Sequence, residues 1–182
     1  TTTSRMGPAD AIFVGFADHF ILQEHWGAVI QSLCDTGSTE ALESFAQDPS
    51  PAPLMAIEAE VTEFFRGEYF GDIVINLQHT GGDFSSKALK KLSRSSPLAM
   101  AATIEMIHRV RGLDDIVHAL EMEYRFTYRA AEQGDFIEGI RAMVIDKDKS
   151  PKWQHSLTES LLPAASAMLR PLGANSLNLT ET

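Results

Sequence analysis

Apolar residues recur at three- and four-residue steps along most of the chain, most clearly between Leu113 and Trp153. Leu113, Ile116, Val117, Leu120, Tyr124, Tyr128 and Ala131 share one face of a predicted helix. Gly134 follows, where a helix can end in a left-handed residue. Asp135 fits an N-cap, and Glu138, three residues on, fits the matching capping-box position. The next helix points Phe136, Ile137, Ile140, Met143 and Val144 inward. It runs into Asp146-Lys147-Asp148-Lys149 and stops before Pro151.

Earlier in the chain, Gly7-Pro8 predicts a helix start, with proline near the first helical position, and Gly15 its end. Residues Phe16–Ile21 alternate like a short strand. A strand needs a partner to satisfy its backbone groups, and no second strand pattern occurs in the chain. Gln23–Leu33 reads as a helix with Trp26, Val29, Ile30 and Leu33 on one face. Ser38 caps a helix over residues 39–47, and Leu54–Arg66 is amphipathic through Ile57, Val61, Phe64 and Phe65. Phe70–Gln78 suits a strand by the propensity of Ile73-Val74-Ile75. Asp72, placed to cap, and the spacing of Ile73, Val74 and Leu77 support a helix instead. Helices are also predicted over residues 84–92, over 97–111 with Met100, Ala101, Ile104 and Ile107 inward, and over 157–169, the last weakened by Pro163. Residues 171–182 read as a mobile tail.

Composition narrows the possibilities. The 182 residues are 44% hydrophobic and 22% charged, the balance of a globular domain with its own core. A net charge of −10 argues against nucleic acid as the main partner. Cys34 is the single cysteine, so there is no internal disulfide and no cysteine-based metal site, which suits a reducing compartment.

Few residues suggest chemistry. The histidines, including His108 and His118, lack the paired spacing of a zinc protease. Thr1 could act as an N-terminal nucleophile only on a sheet-rich scaffold, which this pattern lacks, and reads better as a processing or cleavage boundary. Glu121 and Glu123 point in different directions from one helix, and Arg141 is placed to pair with Glu138 or Asp135. These residues read as structural. No catalytic residue and no metal ligand is assigned. Lys147, Lys149 and Lys152 beside Trp153 suit the negative end of a helix dipole.

Four runs carry a family resemblance. Gly134–Trp153 (GDFIEGIRAMVIDKDKSPKW), Ser95–Arg109 (SSPLAMAATIEMIHR) and the Glu121–Arg125 text resemble the 3-hydroxyisobutyryl-CoA hydrolase branch of the crotonase (enoyl-CoA hydratase/isomerase) superfamily. Arg5–Phe20 resembles the helix and strand that close the crotonase core. The resemblance is to the C-terminal half. It implies that the oxyanion-hole segments and catalytic carboxylates lie before Arg5.

The expected fold is therefore mainly α: the helical C-terminal part of a crotonase-like fold, with one short strand, 16–21, from a truncated β-β-α core. The expected divisions are residues 1–22 as the end of the core, 23–170 as a helical domain and 171–182 as a tail. The resemblance implies a parent enzyme that cleaves a branched hydroxyacyl-CoA thioester in valine breakdown, while this part is itself non-catalytic. Enoyl-CoA hydratase or isomerase chemistry, or a non-catalytic helical assembly module, are the alternatives. Acyl-coenzyme A is the expected substrate and no cofactor is required. The resemblance also implies that Lys147, Lys149, Lys152 and Trp153 contact the coenzyme, the lysines on phosphate and the ring on adenine. Self-association is expected, with no nucleic acid or membrane partner. The expected location is the cytoplasm in a bacterium or the mitochondrion in a eukaryote.

Overall fold

In a computed structural model, residues 5–179 are described, so the readings made on Thr1 and on the last three residues of the tail lie outside them. Ten α-helices and a few 3-10 turns are present among the described residues, and none of these helices is long and apolar enough to cross a membrane. The chain divides after Thr62 into two compact units.

In the first unit, α1 (Pro8–Phe13) starts at Gly7-Pro8 as expected. Asp10 is buried on it and accepts from Leu54 N at 2.8 Å and Gly7 N at 3.3 Å. The expected strand 16–21 is absent. Phe16 N and Ala17 N fold back onto Ala11 O at 2.8 and 3.2 Å, and Phe20 O accepts from Gln47 N at 2.9 Å. Ile21 O accepts from Trp26 Nε1 at 3.2 Å. Turn-like and single bonds satisfy this backbone, so no ladder forms and Phe16 is 75% exposed. A 3-10 turn precedes α2 (Trp26–Thr36), which ends at Gly37 with φ +64°. Of its predicted inward face Val29 is buried, whereas Trp26 and Ile30 are exposed. Next comes α3 (Glu40–Phe45), where Ser38 Oγ accepts from Glu40 N at 3.2 Å; the division falls within α4 (Glu58–Phe64), whose last residues, Glu63 and Phe64, belong to the second unit.

The second unit is built on α5 (Phe70–Thr80), α6 (Gly82–Leu92), α7 (Pro97–Val110) and α8 (Ile116–Gln133), followed by α9 (Phe136–Ile140) and α10 (Leu162–Met168). The ambiguous Phe70–Gln78 segment is helical. Ile73, Val74 and Leu77 fall on one buried face, and Asp72 Oδ2 accepts from Tyr69 N at 3.0 Å. Burial of that face against α6 and α7 overrides the strand propensity of Ile-Val-Ile. Ser96 caps α7, its hydroxyl accepting from Ala99 N at 3.1 Å. Met100, Ala101 and Ile104 are buried as expected, but Ile107 is exposed.

The predicted inward face of α8 is corrected. Ile116, Val117, Leu120 and Tyr128 are exposed, Ile116 to 70%. The side turned to α7 and α10 carries Met122, Phe126 and Ala130, two residues out of step and so on the opposite side of the helix. Both sides of α8 are apolar, and the core takes the one whose Ala130 permits close approach.

The 136–144 helix also differs from expectation. After α9 the backbone widens into a π turn over Arg141–Ile145, closed by Asp146 N on Arg141 O at 2.8 Å. That widening breaks the 3.6-residue register, so Ala142 is buried while Met143 and Val144 are exposed; Phe136 and Ile137, on α9 before the π turn, are exposed as well. Pro163 starts α10 rather than weakening a longer helix, because a first-turn residue needs no N–H partner. Arg129 Nη1 donates to Met168 O at 2.9 Å and Arg170 O at 2.8 Å, and Nη2 to Pro171 O at 3.3 Å. This guanidinium satisfies carbonyls at the C-terminal end of α10 and holds the first residue of the expected tail.

Candidate functional site

The residues between α8 and α10 form one hydrogen-bonded staple. Gly134 is not left-handed: its φ is −125°. It is needed for space, since a Cβ there would lie 3.0 Å from Ala130 O and 3.2 Å from Ala130 Cα. The chain therefore turns tightly off α8 and delivers Asp135 into the interior, where it is 6% exposed.

Asp135 begins α9, but its carboxylate makes no cap bond on that helix. Oδ2 accepts from Ser96 Oγ at 2.5 Å, and Oδ1 accepts from Gln154 N at 2.9 Å. Gln154 Nε2 donates to Gly134 O at 2.9 Å. The capping box expected of Asp135 and Glu138 is thus absent: Asp135 is taken by Ser96 and Gln154, and Glu138 by Arg141 and the Lys152 amide. Asp135 joins the start of α7 to the start of α9 and to the returning loop.

Glu138 belongs to a second centre. Arg141 donates to it through Nε at 2.9 Å and Nη2 at 2.7 Å, a bidentate pair. Nη1 reaches Asp146 and Asp148, both at 2.7 Å, and Nη2 also donates to Ser150 O at 3.2 Å. All five guanidinium donors are engaged. Glu138 Oε1 accepts from Lys152 N at 2.6 Å. Hydrogen bonds from Arg141, then from the Lys152 amide, hold the Glu138 carboxyl down to about 2. Asp148 is lowered by Arg141 and by the Ser150 amide, and Arg141 is raised by Glu138 and the two aspartates.

This ring shapes the 146–152 loop. Lys147 and Lys149 each adopt φ +55°, which costs energy in residues with a Cβ and persists because the carboxylates beside them are fixed on Arg141. The side chains of Lys147, Lys149 and Lys152 are exposed, while Trp153 is half-buried. Trp153 lies over Gly139, with ring carbons 3.7 and 3.8 Å from where a Cβ would stand. Its indole Nε1 is buried without a hydrogen-bond partner among the described residues.

Trp153 forms one wall of an open apolar groove of about 390 Å³. Leu98 and Ala99 on α7, Phe126 on α8, Phe136 on α9, and Met143 and Val144 on the π turn supply most of the remainder. Ser96 and Asp135 also line it, but their polar atoms are already bonded to each other. Of the four sequence-predicted site residues, the groove takes Trp153 and none of the lysines. Among the described residues no group of His, Cys, Asp and Glu could hold a metal ion. The arrangement can seat an apolar group against an aromatic ring; its hydroxyl–carboxylate pair, Ser96 and Asp135, joins α7 to α9 and is held by the Ala99 and Gln154 amides. The expected pairing of Arg141 with Glu138 is present; sequence reasoning missed Ser96 as a partner of Asp135 and the reach of Arg141 to Asp146 and Asp148. The one available signal was the unusual density of acids around Arg141.

The chain matches the model of the enoyl-CoA hydratase/isomerase family over residues 1–168. It is 28% identical to the mitochondrial 3-hydroxyisobutyryl-CoA hydrolase of Xenopus laevis, over 98% of this chain and 49% of that protein. The Bos taurus mitochondrial 3-hydroxyisobutyryl-CoA hydrolase is also 28% identical, over 97% and 48%. Among solved structures, an enoyl-CoA hydratase from Rhodobacter sphaeroides 2.4.1 is 42% identical with a TM-score of 0.80, covering 98% of this chain and 52% of that one. A carnitinyl-CoA dehydratase from Mycobacterium thermoresistibile is 27% identical with a TM-score of 0.84, covering 100% and 52%. The chain spans about half the length of the curated relatives it matches.

Proposed function

The chain belongs to the enoyl-CoA hydratase/isomerase family, and from that premise we propose that it is the C-terminal helical part of an acyl-CoA thioester hydrolase of the 3-hydroxyisobutyryl-CoA hydrolase kind. In this reading the reacting groups, backbone N–H donors for the thioester oxyanion and a directing carboxylate, belong to the other half of the enzyme. This half binds, and has no hydrolase activity by itself. Lys147, Lys149 and Lys152 meet the coenzyme's phosphates as point charges, and Trp153 meets its adenine or the apolar part of the ligand. The enzyme would act in valine breakdown, in the bacterial cytoplasm or in mitochondria, the compartment named for the curated relatives.

The observation that carries the reading is the Arg141 ring. It fixes a loop bearing three exposed lysines, and the loop ends in the aromatic wall of an apolar groove. The test is a fluorescence titration of a Trp26→Phe variant, which leaves Trp153 as the sole tryptophan, with coenzyme A and isobutyryl-CoA. Saturable quenching is expected, and Lys149→Ala should weaken it by about 3- to 10-fold, the scale of one solvent-exposed ionic contact. A flat titration with both ligands would overturn the coenzyme role.

A second reading, a helical assembly module, is favoured by one observation. The stripe of Ile116, Val117, Leu120 and Tyr128 on α8 is exposed. It supports self-association and is compatible with the first reading.

A further inference from the structure

The second unit has another concavity, polar where the first is apolar, with a volume of about 430 Å³. Arg66 comes to it from the end of α4, and His108 and Arg111 from the end of α7. Gly67 and Glu68 complete the lining. In a chain of net charge −10, it gathers two guanidinium groups and an imidazole against a single carboxylate.

None of the three basic side chains has a protein partner among the described residues. Four other arginines of this unit are committed: Arg109 to Glu105, Arg125 to Glu121, Arg129 to carbonyls and Arg141 to carboxylates; Arg94 and Arg170 stand apart from the concavity. The dipole of α7 favours cations at its own end and so accounts for His108 and Arg111 singly. It does not account for Arg66 arriving beside them from another helix.

The turn that presents Arg66 is seated firmly. A Cβ on Gly67 would lie 2.7 Å from Asp72 Cβ and 3.0 Å from Ile73 N, so only glycine allows this approach to α5. Asp72 ties the same turn down by accepting from Tyr69 N at 3.0 Å. On the facing side, Arg111 N donates to Ile107 O at 2.8 Å. The two arginines therefore leave anchored backbone, and less order has to be gained when a ligand binds between them. Planar guanidinium forks match the oxygens of a phosphate group, which accepts bidentate hydrogen bonds from each.

We propose that this concavity is an anion site that takes the phosphate or diphosphate group of a small molecule, held by Arg66 and Arg111 with His108 as a third donor. Two sources offer that group: a free phosphorylated metabolite and the phosphates of a coenzyme. The site shares no residue with the Trp153 groove and stands whether or not that groove meets coenzyme A.

The experiment is calorimetric titration of the 182-residue chain with inorganic pyrophosphate at low salt, repeated with coenzyme A. Arg66→Gln and Arg111→Gln are compared with Lys90→Gln, which removes a positive charge from α6 outside the concavity. Circular dichroism and thermal melts establish that each variant is folded. Saturable pyrophosphate binding is expected, weakened about tenfold by either arginine substitution and unchanged by Lys90→Gln. Parallel losses in the coenzyme A titration would identify the coenzyme as the source of the phosphate. Losses with pyrophosphate alone would identify a free phosphorylated ligand. The proposal is overturned by the absence of saturable pyrophosphate binding, or by equal weakening in all three variants, which marks general surface charge.

Discussion

Arg141 and Asp135 show how much a single side chain can organise here. Glu138, held near 2 by Arg141 against an ordinary 4.5, stabilises the folded chain fully above pH 4.5, and that contribution fades as the pH falls through its folded value. Glu138→Gln should therefore flatten the acid limb of the stability curve between about pH 4.5 and 2. Melts at a series of pH values, in low and high salt, test this. An unchanged acid limb would mean that the Arg141 ring does not form in solution. Because the ring is partly exposed, salt should reduce the difference. Asp135 answers to a different principle. Its two oxygens serve Ser96 and Gln154 from a buried position, so Asp135→Ala should cost about 1–3 kcal/mol by stranding buried donors. Ser96→Ala should then cost less in the Asp135→Ala background than alone, since only its cap bond to Ala99 N remains to be lost there. Additive losses in chemical denaturation would sink the Asp135–Ser96 link.

At the level of elements, two helices with similar apolar patterns met different fates. The Ile73, Val74 and Leu77 face of α5 is buried as its spacing indicates, and Leu77 is fully enclosed. Ile107 continues the apolar spacing of α7 but points into solvent. Leu77→Ala should cost about 2–5 kcal/mol, and Ile107→Ala should stay within about 0.5 kcal/mol. Comparable losses on urea denaturation would show that Ile107 is covered in solution. α8 is the instructive helix. Its sequence displays an apolar stripe on each side, and periodicity alone contains nothing that ranks them. Ala130, small enough for close helix approach, sits on the side that faces α7 and α10. The π turn after α9 was equally unreadable, because a pattern of period 3.6 has no term for one widened turn.

For the whole molecule, the side of α8 left outward matters most. Ile116, Val117, Leu120 and Tyr128 are exposed on one helix, and Ile137, Val144 and Ile145 are exposed further along the chain. Contiguous apolar surface of more than a few hundred Å² is rare on a stable monomer, so the chain should sediment as a dimer or larger species at micromolar concentration. Ile116→Lys with Leu120→Lys should return it to monomer without loss of helicity. A monomeric wild type at all concentrations would refute covering of the stripe. The sequence by itself determined the helical class, most helix starts, the family and the position of the loop that carries Lys147, Lys149, Lys152 and Trp153. These are local properties: proline and glycine set the ends, apolar spacing sets the period, and the motif text sets the kinship. Tertiary structure decided the rest. It chose which side of α8 to bury, dissolved the expected strand 16–21 into turn bonds, drew Asp135 and Glu138 away from a capping box, and converged Arg66 with Arg111. The buried side of α8, the seat of Asp135 and the convergence of Arg66 with Arg111 depend on partners far apart in the chain, while Glu138 and the 16–21 backbone chose mainly among near ones. Burial and hydrogen bonding reward whichever group arrives with the better fit, and no local pattern records which one that is.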